Sequence, residues 1–478
     1  MKKRRIIAAI AAVSIAAAAF TGCTQKETET VNTTDTIKVF TKLKNRPDCA
    51  LVSQELSKIT AEKIGVNVEF MFGYDADKIT LMLASNEQMD IGFDDINTFV
   101  DRVRQNAYVD ITDMLKEKTP ALYELLPSEY WEYTKVDGKN YAVPTYKEMA
   151  EQWTLLVDKE IIEEHNIDIT KIKELKDVEV ILAALKEHPE RAGYEILPAN
   201  TIHMNVALKG KYDTVYEEFV IDRENPDKVV HYMETEDYKD YVKLMRDWYN
   251  KGYIAKDITT RTDYESYHNT GDVGIIYTQY QPYSEVAFKD SYNADLVPIH
   301  LSPIVMSNTS MLGSLFGIYS KSKNVDKALE FLELWNTDAD VKNMITYGIE
   351  GKHYDLINGK AKIREGAFDL YKMQNAISGN MMISYVLESE PDDKYEQFDA
   401  FNKKAVPSAA LGFLPDTDKI ESKLGACANV ISEYNPLLCC GAVDPDKYLD
   451  KMLSALKKSG MEDVKKEIQR QYDEWRKK

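Results

Sequence analysis

Cysteine is scarce in this chain: five residues among 478 are too few for the dense disulfide framework of small secreted domains. Basic charge is also in short supply, because 60 lysine and arginine residues face 79 aspartates and glutamates and the formal net charge is -19. Such an acidic surface repels phosphate groups and argues against a nucleic-acid partner. After residue 20 no run of 18 apolar residues occurs, so this part of the sequence predicts no membrane-spanning helix.

Common catalytic motifs are missing as well. The chain contains no HExxH, no GxSxG, no GxxxxGK[ST] and no GxGxxG motif. Its seven histidines are scattered, without the i, i+4 pair that is typical of a zinc site on a helix. We therefore expect no enzyme activity, no cofactor and no metal. The many carboxylates leave one alternative open, a glycosidase that works with two of them.

The remaining composition is that of a folded protein. Hydrophobic residues make up 44% and charged residues 29% of the chain, which excludes a disordered, collagen-like or rod-like coiled-coil protein. The length predicts about three domains or two large lobes. Tyrosine is abundant, with 30 residues. Its flat ring with a polar tip suits a ligand that is half polar and half apolar, and packing between elements is the other use.

The N-terminal segment has the features of a signal peptide. Four basic residues within 1–5 precede an uncharged stretch over 6–20, which is too short to span a bilayer as a mature helix. The sequence FTGC at 20–23 resembles a bacterial lipobox, with Phe20 where leucine is usual. The resemblance implies that residues 1–22 are removed and that Cys23 carries a diacylglyceryl thioether. A plain secretory signal is the alternative. Residues 23–36 are polar and predict a tether.

Strand and helix patterns alternate after the tether. Apolar alternation predicts strands at 37–40, 66–72 and 89–93, and helical periodicity predicts helices at 51–64 and 78–84 between them. This order indicates an α/β lobe built around a mainly parallel sheet. Ligands of such sheets bind beyond the carboxyl ends of the strands.

Several motifs, in this order, resemble family-1 extracellular solute-binding proteins, the carbohydrate-type receptors of ABC importers. The resemblance begins with MDIGFDD at 89–95 and NAYVDIT at 106–112. VDGKNYAVP at 136–144 and LLVDK at 155–159 follow, with Val157 where the family has asparagine. FGIYSKSKN at 316–324 corresponds to a strand and helix near the return crossing. YGIEGKHY at 347–354, YNPL at 434–437 and GAVDP at 441–445 resemble a branch with a long C-terminal domain.

The resemblance implies an α/β, two-lobe periplasmic-binding-protein-like fold with an interlobe hinge and cleft. The first lobe is expected to comprise residues 37–149 and 314–350. The second is expected to comprise residues 150–313 and 351–478, with a C-terminal helical extension. Two crossings would connect the lobes, the first near Pro144.

The implied function is that of a lipid-anchored, extracytoplasmic receptor at the cell membrane. It would bind an oligosaccharide between the lobes as a monomer and deliver it to the transmembrane subunits of an ABC permease. The same fold serving a peptide or another small organic solute is the alternative, followed by a surface glycoside hydrolase. The residues do not identify the sugar.

Sugar recognition needs aromatic rings for the C–H faces and carboxylate or amide groups for the hydroxyls. Candidate contacts follow predicted strands, flank the first crossing, or occupy polar turns. They are Lys42, Asn45, Asp94, Asp95, Tyr146, Glu148, Trp153, Tyr277, Gln279, Tyr280, Ser310 and Glu350. Structural alternatives remain open: Asp95 as a helix cap, Trp153 as packing between lobes, and Glu350 in a bracing turn.

Four cysteines follow the tether: Cys49, Cys427, Cys439 and Cys440. The CxxC spacing of a redox or metal site is absent. We expect buried or reduced thiols, and one disulfide is the alternative.

Overall fold

The computed structural model describes residues 35–477, except for residue 86, residues 189–209, residues 261–273 and residue 293. The predicted lipid attachment at Cys23 and most of the predicted tether therefore lie outside the described residues. Within the described part, no helix is both long enough and apolar enough to cross a membrane.

The first sheet has five strands in the order β2-β1-β3-β12-β4. Both neighbours of β1 run parallel to it, whereas β12 runs antiparallel to β3 and β4. The predicted parallel arrangement of the first three strands is thereby confirmed. The strands are β1 (Thr36–Thr41), β2 (Asn67–Phe72), β3 (Ile91–Asp94), β4 (Ala142–Pro144) and β12 (Leu315–Ile318).

Helices pack on both faces of this sheet. Val39 of β1 shares one buried cluster with Leu56, and its neighbour Phe40, on the opposite face, shares another with Phe99. The first helix ends at Gly65, whose φ of 73° suits the left-handed cap that follows a helix. The helices of this part are Cys49–Ile64, Ala76–Ser85, Ile96–Arg104, Thr112–Lys118, Pro120–Leu125, Ser128–Tyr133, Val325–Thr337 and Ala339–Tyr347.

Two glycines allow a pair of tyrosines to lie against the middle of the sheet. Gly92 and Gly317 are paired across β3 and β12. A Cβ on Gly92 would lie 2.0 Å from the Tyr319 hydroxyl, and one on Gly317 would lie 2.5 Å from the Tyr108 ring. The two rings stack with their centroids 5.1 Å apart. The glycines are therefore required by packing rather than by backbone conformation.

The second part contains two three-stranded antiparallel sheets. One has the order β10-β5-β9 and the other the order β6-β7-β8. Their strands are β5 (Gln152–Asp158), β9 (Ile275–Tyr280), β10 (Leu296–His300), β6 (Tyr212–Tyr216), β7 (Phe219–Asp222) and β8 (Asn225–His231). The helices of this part before the C-terminal region are Lys159–Glu164, Glu179–Leu185, Glu236–Lys251 and Ser284–Tyr292.

The C-terminal helices share the hydrophobic core of this second part. Trp248, Phe413 and Tyr472 belong to one continuous cluster of buried side chains with Leu155 and Ile275 of the β5–β9 pair. These helices are Glu421–Cys439, Pro445–Lys458 and Met461–Trp475. The C-terminal region is thus part of the fold that carries β5 and β9.

The two parts are joined by neighbouring chain segments. Residues 145–151 lead from β4 to β5, and the segment after β10 returns to β12. Glu151 and Val305 exchange two backbone hydrogen bonds of 2.8 Å, so the segments run antiparallel where they pass. The Thr145 and Ser314 hydroxyls are 2.8 Å apart and tie the segments again beside the first sheet.

Shorter elements complete the described chain. Beside the return segment, β11 (Val305–Met306) pairs with β15 (Val406–Pro407), and the hairpin of β13 (Tyr354–Ile357) and β14 (Lys360–Ile363) follows the first-sheet helices. The remaining α-helices are Asn308–Leu312, Ala367–Leu370 and Lys394–Lys404. The 3-10 helices are Ile169–Lys171, Leu175–Val178, Tyr232–Glu234, Ile258–Thr260, Asn375–Ile377 and Met381–Ile383.

The four cysteines after the tether are buried free thiols. Burial raises the pKa of Cys439 to about 12, which keeps this thiol protonated and unreactive.

Candidate ligand-binding cleft

A cleft of about 630 Å³ lies between the two parts of the molecule. Part of its lining comes from the helix Ile96–Arg104 and part from β6, and these are called its first and second walls. Glu151, Trp153 and residues of the return segment between Ser302 and Thr309 are called its floor. Phe413, Leu414, Pro415 and Thr417 also line it. Each wall therefore comes from a different part of the fold, and both crossing segments run beneath the cleft.

The first wall is set by the start of one helix. Asp95 accepts a hydrogen bond from the Asn97 backbone N–H at 3.2 Å and caps the helix that begins at Ile96. The helical period then places Asn97, Val100 and Asp101 on the face that lines the cleft. Arg104, further along, donates to the carbonyls of residues 414 and 415 at 2.9 and 2.8 Å and joins this wall to the side formed by residues 413–417.

An aromatic pair lies at the floor. The Trp153 indole on β5 and the Tyr277 ring on β9 lie diagonally across the two paired strands and stack with their centroids 4.8 Å apart and an angle of 18°. Trp153 lines the cleft and Tyr277 does not, so Tyr277 supports one face of the indole. The Tyr277 hydroxyl is buried with no hydrogen-bond partner among the described residues. Trp153 is thereby held as a rigid, flat surface.

Glu151 places a carboxylate beside this aromatic pair. The Ser307 hydroxyl donates to its Oε1, and Gln279 Nε2 lies 3.5 Å from its Oε2. Burial raises the pKa of Glu151; the hydrogen bond from Ser307 and the positive charge of Arg223 act in the opposite direction but are weaker. The floor thus combines an apolar ring with a largely desolvated acceptor.

The second wall contains a paired charge. Arg223 Nη2 lies 2.8 Å from Asp213 Oδ1, and Asp213 is buried. The other Asp213 oxygen accepts from the Ala409 backbone N–H at 3.0 Å. The guanidinium is therefore neutralised inside the protein and does not offer a full positive charge to an anion.

Asn308 fixes the side of the cleft that the C-terminal region contributes. Its Nδ2 donates to the carbonyls of Ala410 and Phe413 at 3.1 and 2.8 Å, and its Oδ1 accepts from the Gly412 N–H at 2.7 Å. The crossing segment is thereby attached to residues 410–413 by three hydrogen bonds. Phe413 in turn lines the cleft.

A second cavity of about 490 Å³ adjoins the cleft, because Asp101, Tyr216, Glu217 and Thr417 line both. Glu217 has a φ of 47° in the tight turn between β6 and β7. The next residue, Glu218, lines the second cavity, and burial raises its pKa to about 7. At neutral pH this carboxyl is therefore partly protonated and able to donate a hydrogen bond.

His231 lines the same cavity from β8. Its side chain is 1% exposed, and its ring meets the Phe219 ring edge to face at 5.1 Å. Burial lowers the pKa of His231 to about 3, so the imidazole is neutral at physiological pH.

Three of the sequence-predicted residues meet at the floor of the cleft. Trp153 lines it, Tyr277 supports Trp153, and Gln279 lies against Glu151. Tyr280, the next residue of this run in the prediction, instead packs against His300 with the ring centroids 4.7 Å apart.

The residues predicted after β1 and β3 lie together at the edge of the first sheet, outside the cleft lining. Lys42 Nζ is 3.1 Å from Asp95 Oδ2. Asp94 is buried, and its carboxylate accepts from Arg102 at 3.0 Å, from the Tyr108 hydroxyl at 2.7 Å and from Thr98. Asn45 is exposed in the loop after β1.

The remaining predicted residues have other surroundings. Tyr146 packs against the first core, and Lys147 donates to Glu148 at 2.8 Å. Ser310 is buried and donates to the Met149 carbonyl at 3.0 Å. Glu350 is exposed in the turn before β13. None of these four lines the described cleft.

Sequence reasoning missed much of the cleft. Glu151, Asp213 and Arg223 are not among the predicted contacts. Asn308 lies in the polar run 307–311, from which Ser310 rather than Asn308 is the predicted contact. Glu151 could have been predicted from its position, since it lies between Pro144 of the predicted crossing and the strand that contains Trp153. The alternation of apolar residues over 212–231 also marks a hairpin sheet, but nothing local to it indicates which cleft it faces.

Known proteins resemble this chain over most of its length. Residues 409–477 match a domain of unknown function, DUF3502. A carbohydrate ABC transporter substrate-binding protein of Streptococcus pneumoniae serotype 4 is 30% identical over 434 residues, which is 88% of this chain and 86% of that protein.

Solved structures agree with this relationship. The N-glycan transport solute binding protein NgtS from Streptococcus pneumoniae has a TM-score of 0.82 at 27% identity, over 92% of this chain and 98% of that chain. The structure of NgtS in complex with Man5GlcNAc has a TM-score of 0.70 at 28% identity, over the same shares of both chains. The predicted α/β periplasmic-binding-protein fold is thereby confirmed.

Proposed function

The chain belongs to the carbohydrate ABC transporter substrate-binding proteins, and from this premise we propose that it binds a mannose- and N-acetylglucosamine-containing oligosaccharide in the cleft over Trp153. The protein makes and breaks no covalent bond in the sugar. It holds the oligosaccharide and presents it to the permease of an ABC importer.

The main support for the proposal is the arrangement of side chains at the floor of the cleft. The Trp153 ring, supported by Tyr277, offers a flat apolar face of the kind that packs against the C–H side of a pyranose ring. Glu151 lies beside it with two carboxylate oxygens, which accept hydrogen bonds from neighbouring hydroxyls. Sugar recognition uses this combination, whereas a peptide that binds as an added strand uses a row of main-chain amide donors and acceptors.

The size of the site favours an oligosaccharide over a single sugar. The cleft of about 630 Å³ alone is as large as many small-molecule sites. The adjoining cavity extends it past Asp101 and Glu217. NgtS has been solved with Man1GlcNAc and with Man5GlcNAc; at 27–28% identity these ligands are the natural first candidates here.

The charge of the lining favours a neutral ligand. Asp101, Glu151 and Glu217 contribute carboxylates, and the Arg223 guanidinium is paired with Asp213. An anionic group such as a sialic acid carboxylate would meet like charge, without a free basic partner among the described residues that line the cleft. We therefore expect the protein to prefer uncharged glycans.

The two crossing segments connect two bodies that can move relative to each other. We propose two rigid bodies, one built from residues 37–149 and 314–350 and the other from residues 150–313 and the C-terminal helices. Within residues 351–478, Tyr371 and Met373 pack in the buried core of the first body, so this stretch is divided between the two. The walls of the cleft come one from each body, so a ligand that touches both would stabilise the closed arrangement over the open one.

Attachment to the membrane is the second part of the proposal. The FTGC motif supports processing before Cys23 and lipidation of its sulfur. The substitution Cys23→Ser should release the protein from the membrane fraction, and mass spectrometry of the native N-terminal peptide should show the acyl mass. An unmodified N-terminus with membrane retention would contradict this part.

Calorimetric titration with Man5GlcNAc tests the binding proposal. We expect one site on the wild-type protein, a large loss of affinity in Trp153→Ala, and wild-type affinity in Tyr434→Ala. Tyr434 is a matched control, because it is half-buried, contacts another aromatic ring and lies outside the lining. Equal loss in both variants, or binding of peptides without glycans, would refute the proposal. Recovery of shortened sugar would show a glycosidase instead.

A further inference from the structure

Two histidines that are distant in the sequence meet in the structure. His165 follows the helix Lys159–Glu164, and His188 lies just after the helix Glu179–Leu185. These helices pack on each other. The two Nε2 atoms are 3.2 Å apart, and the rings are nearly perpendicular, at 85°.

A carboxylate completes this group. Glu164 Oε2 lies 3.6 Å from His188 Nε2. One ligand atom from each of the three side chains lies within 4.8 Å of the others. His188 is mostly buried, with 20% of its side chain exposed, whereas Glu164 is 61% exposed. The group is therefore half-sheltered and open on one side to solvent.

The distances between these atoms match the distance expected between two ligand atoms of one tetrahedral zinc ion. Zinc binds imidazole nitrogen at about 2.0–2.1 Å in tetrahedral geometry, which separates two ligand atoms by roughly 3.3–3.4 Å. The separation of 3.2 Å between the nitrogens and of 3.6 Å between nitrogen and carboxylate oxygen lies close to this value. Two imidazoles and one carboxylate are also a ligand set found in zinc sites that keep a fourth position for water.

We propose that Glu164, His165 and His188 bind one zinc ion, with water in the fourth position. No sequence motif predicts this site, because the histidines are 23 residues apart rather than on neighbouring turns of one helix. The ion would link the ends of two helices that pack on each other, the first of which also packs on β5. None of the three residues lines the glycan cleft, so the site is independent of the proposed function.

Calorimetric titration with Zn²⁺ of metal-free protein produced without a polyhistidine tag tests this site. We expect one equivalent to bind and the melting temperature to rise. His188→Gln and Glu164→Gln should each weaken binding, the histidine change by about 100-fold or more, since even changes around a metal ligand cost 10–100-fold. Glu163→Gln is the matched control: it removes a similarly exposed carboxylate on the same helix and should leave affinity unchanged.

Substitution of Co²⁺ for Zn²⁺ reports the geometry directly. We expect the visible absorption of tetrahedral Co²⁺ in the wild-type protein and its loss in His188→Gln. The proposal is overturned if Zn²⁺ binds no better to the wild type than to His188→Gln, or if Glu163→Gln weakens binding as much as Glu164→Gln. In that case the histidines form only a hydrogen bond to each other.

Discussion

Replacement of Asp94 by asparagine should destabilise the protein without weakening glycan binding. Asp94 lies at the end of β3, where sequence reasoning predicts a ligand contact. In the structure both of its oxygens already have partners: Oδ2 accepts from Arg102 and Tyr108, and Oδ1 accepts from Thr98 and from the next backbone N–H. No lone pair is left that points to a sugar hydroxyl.

The size of the effect follows from burial. Only 2% of the Asp94 side chain and 7% of the Arg102 side chain are exposed. Removal of one partner from a buried ion pair costs about 3–5 kcal/mol, because the other charge is left unpaired. Arg102 keeps one hydrogen bond, to the Ala76 carbonyl at 3.0 Å, so we expect the lower end of this range, about 3 kcal/mol.

Urea unfolding followed by circular dichroism measures this loss as a shift of the midpoint at constant slope. Asp95→Asn is the matched control. Asp95 pairs with Lys42 at the surface, and asparagine also caps helices, so this change should cost less than about 1 kcal/mol. The reasoning is refuted if both variants lose equal stability, or if Asp94→Asn folds normally and loses affinity for Man5GlcNAc.

Three other predictions concern packing and buried charge. Gly92→Ala would place its Cβ 2.0 Å from the Tyr319 hydroxyl and should cost at least about 1–3 kcal/mol in urea unfolding; an unchanged midpoint would contradict it. Burial raises the pKa of Glu218 to about 7, whereas an unfolded glutamate titrates at about 4.3. Between these two pH values the folded state holds a proton that the unfolded state releases, so stability should fall as pH rises through this range. Glu218→Gln should flatten this dependence, and an equal slope in both proteins would contradict it. Burial lowers the pKa of Lys342, which donates to Ser378. The folded state therefore binds this proton less readily than the unfolded state, and stability should rise as pH increases towards about 10.4. The rise should be smaller in Lys342→Met, and identical pH profiles of the two proteins would exclude the effect.

The local pattern of apolar and polar residues is sufficient to predict strands of the first sheet but not the second wall of the cleft. Alternation predicts β1, β2 and β3 within one or two residues, and the position of Asp95 before an amphipathic helix predicts its cap. These features depend on neighbours along the chain.

The rest of the site depends on contacts between distant segments. Asn308 is positioned by residues 410–413, about a hundred residues later, and Asp213 is held by the backbone N–H of Ala409. No local periodicity encodes such pairs. Trp153 could be predicted because its type and its place beside the crossing both indicated a ligand contact, although packing between lobes explained the same position.

The most direct measurement of the central claim is a crystal structure of the protein with Man5GlcNAc. We predict one sugar ring stacked on the exposed face of Trp153, with hydroxyl groups donating to Glu151 and the glycan continuing past Asp101 towards Glu218. Glycan bound elsewhere on the surface would contradict this account. So would a cleft that stays empty at a glycan concentration far above the calorimetric dissociation constant.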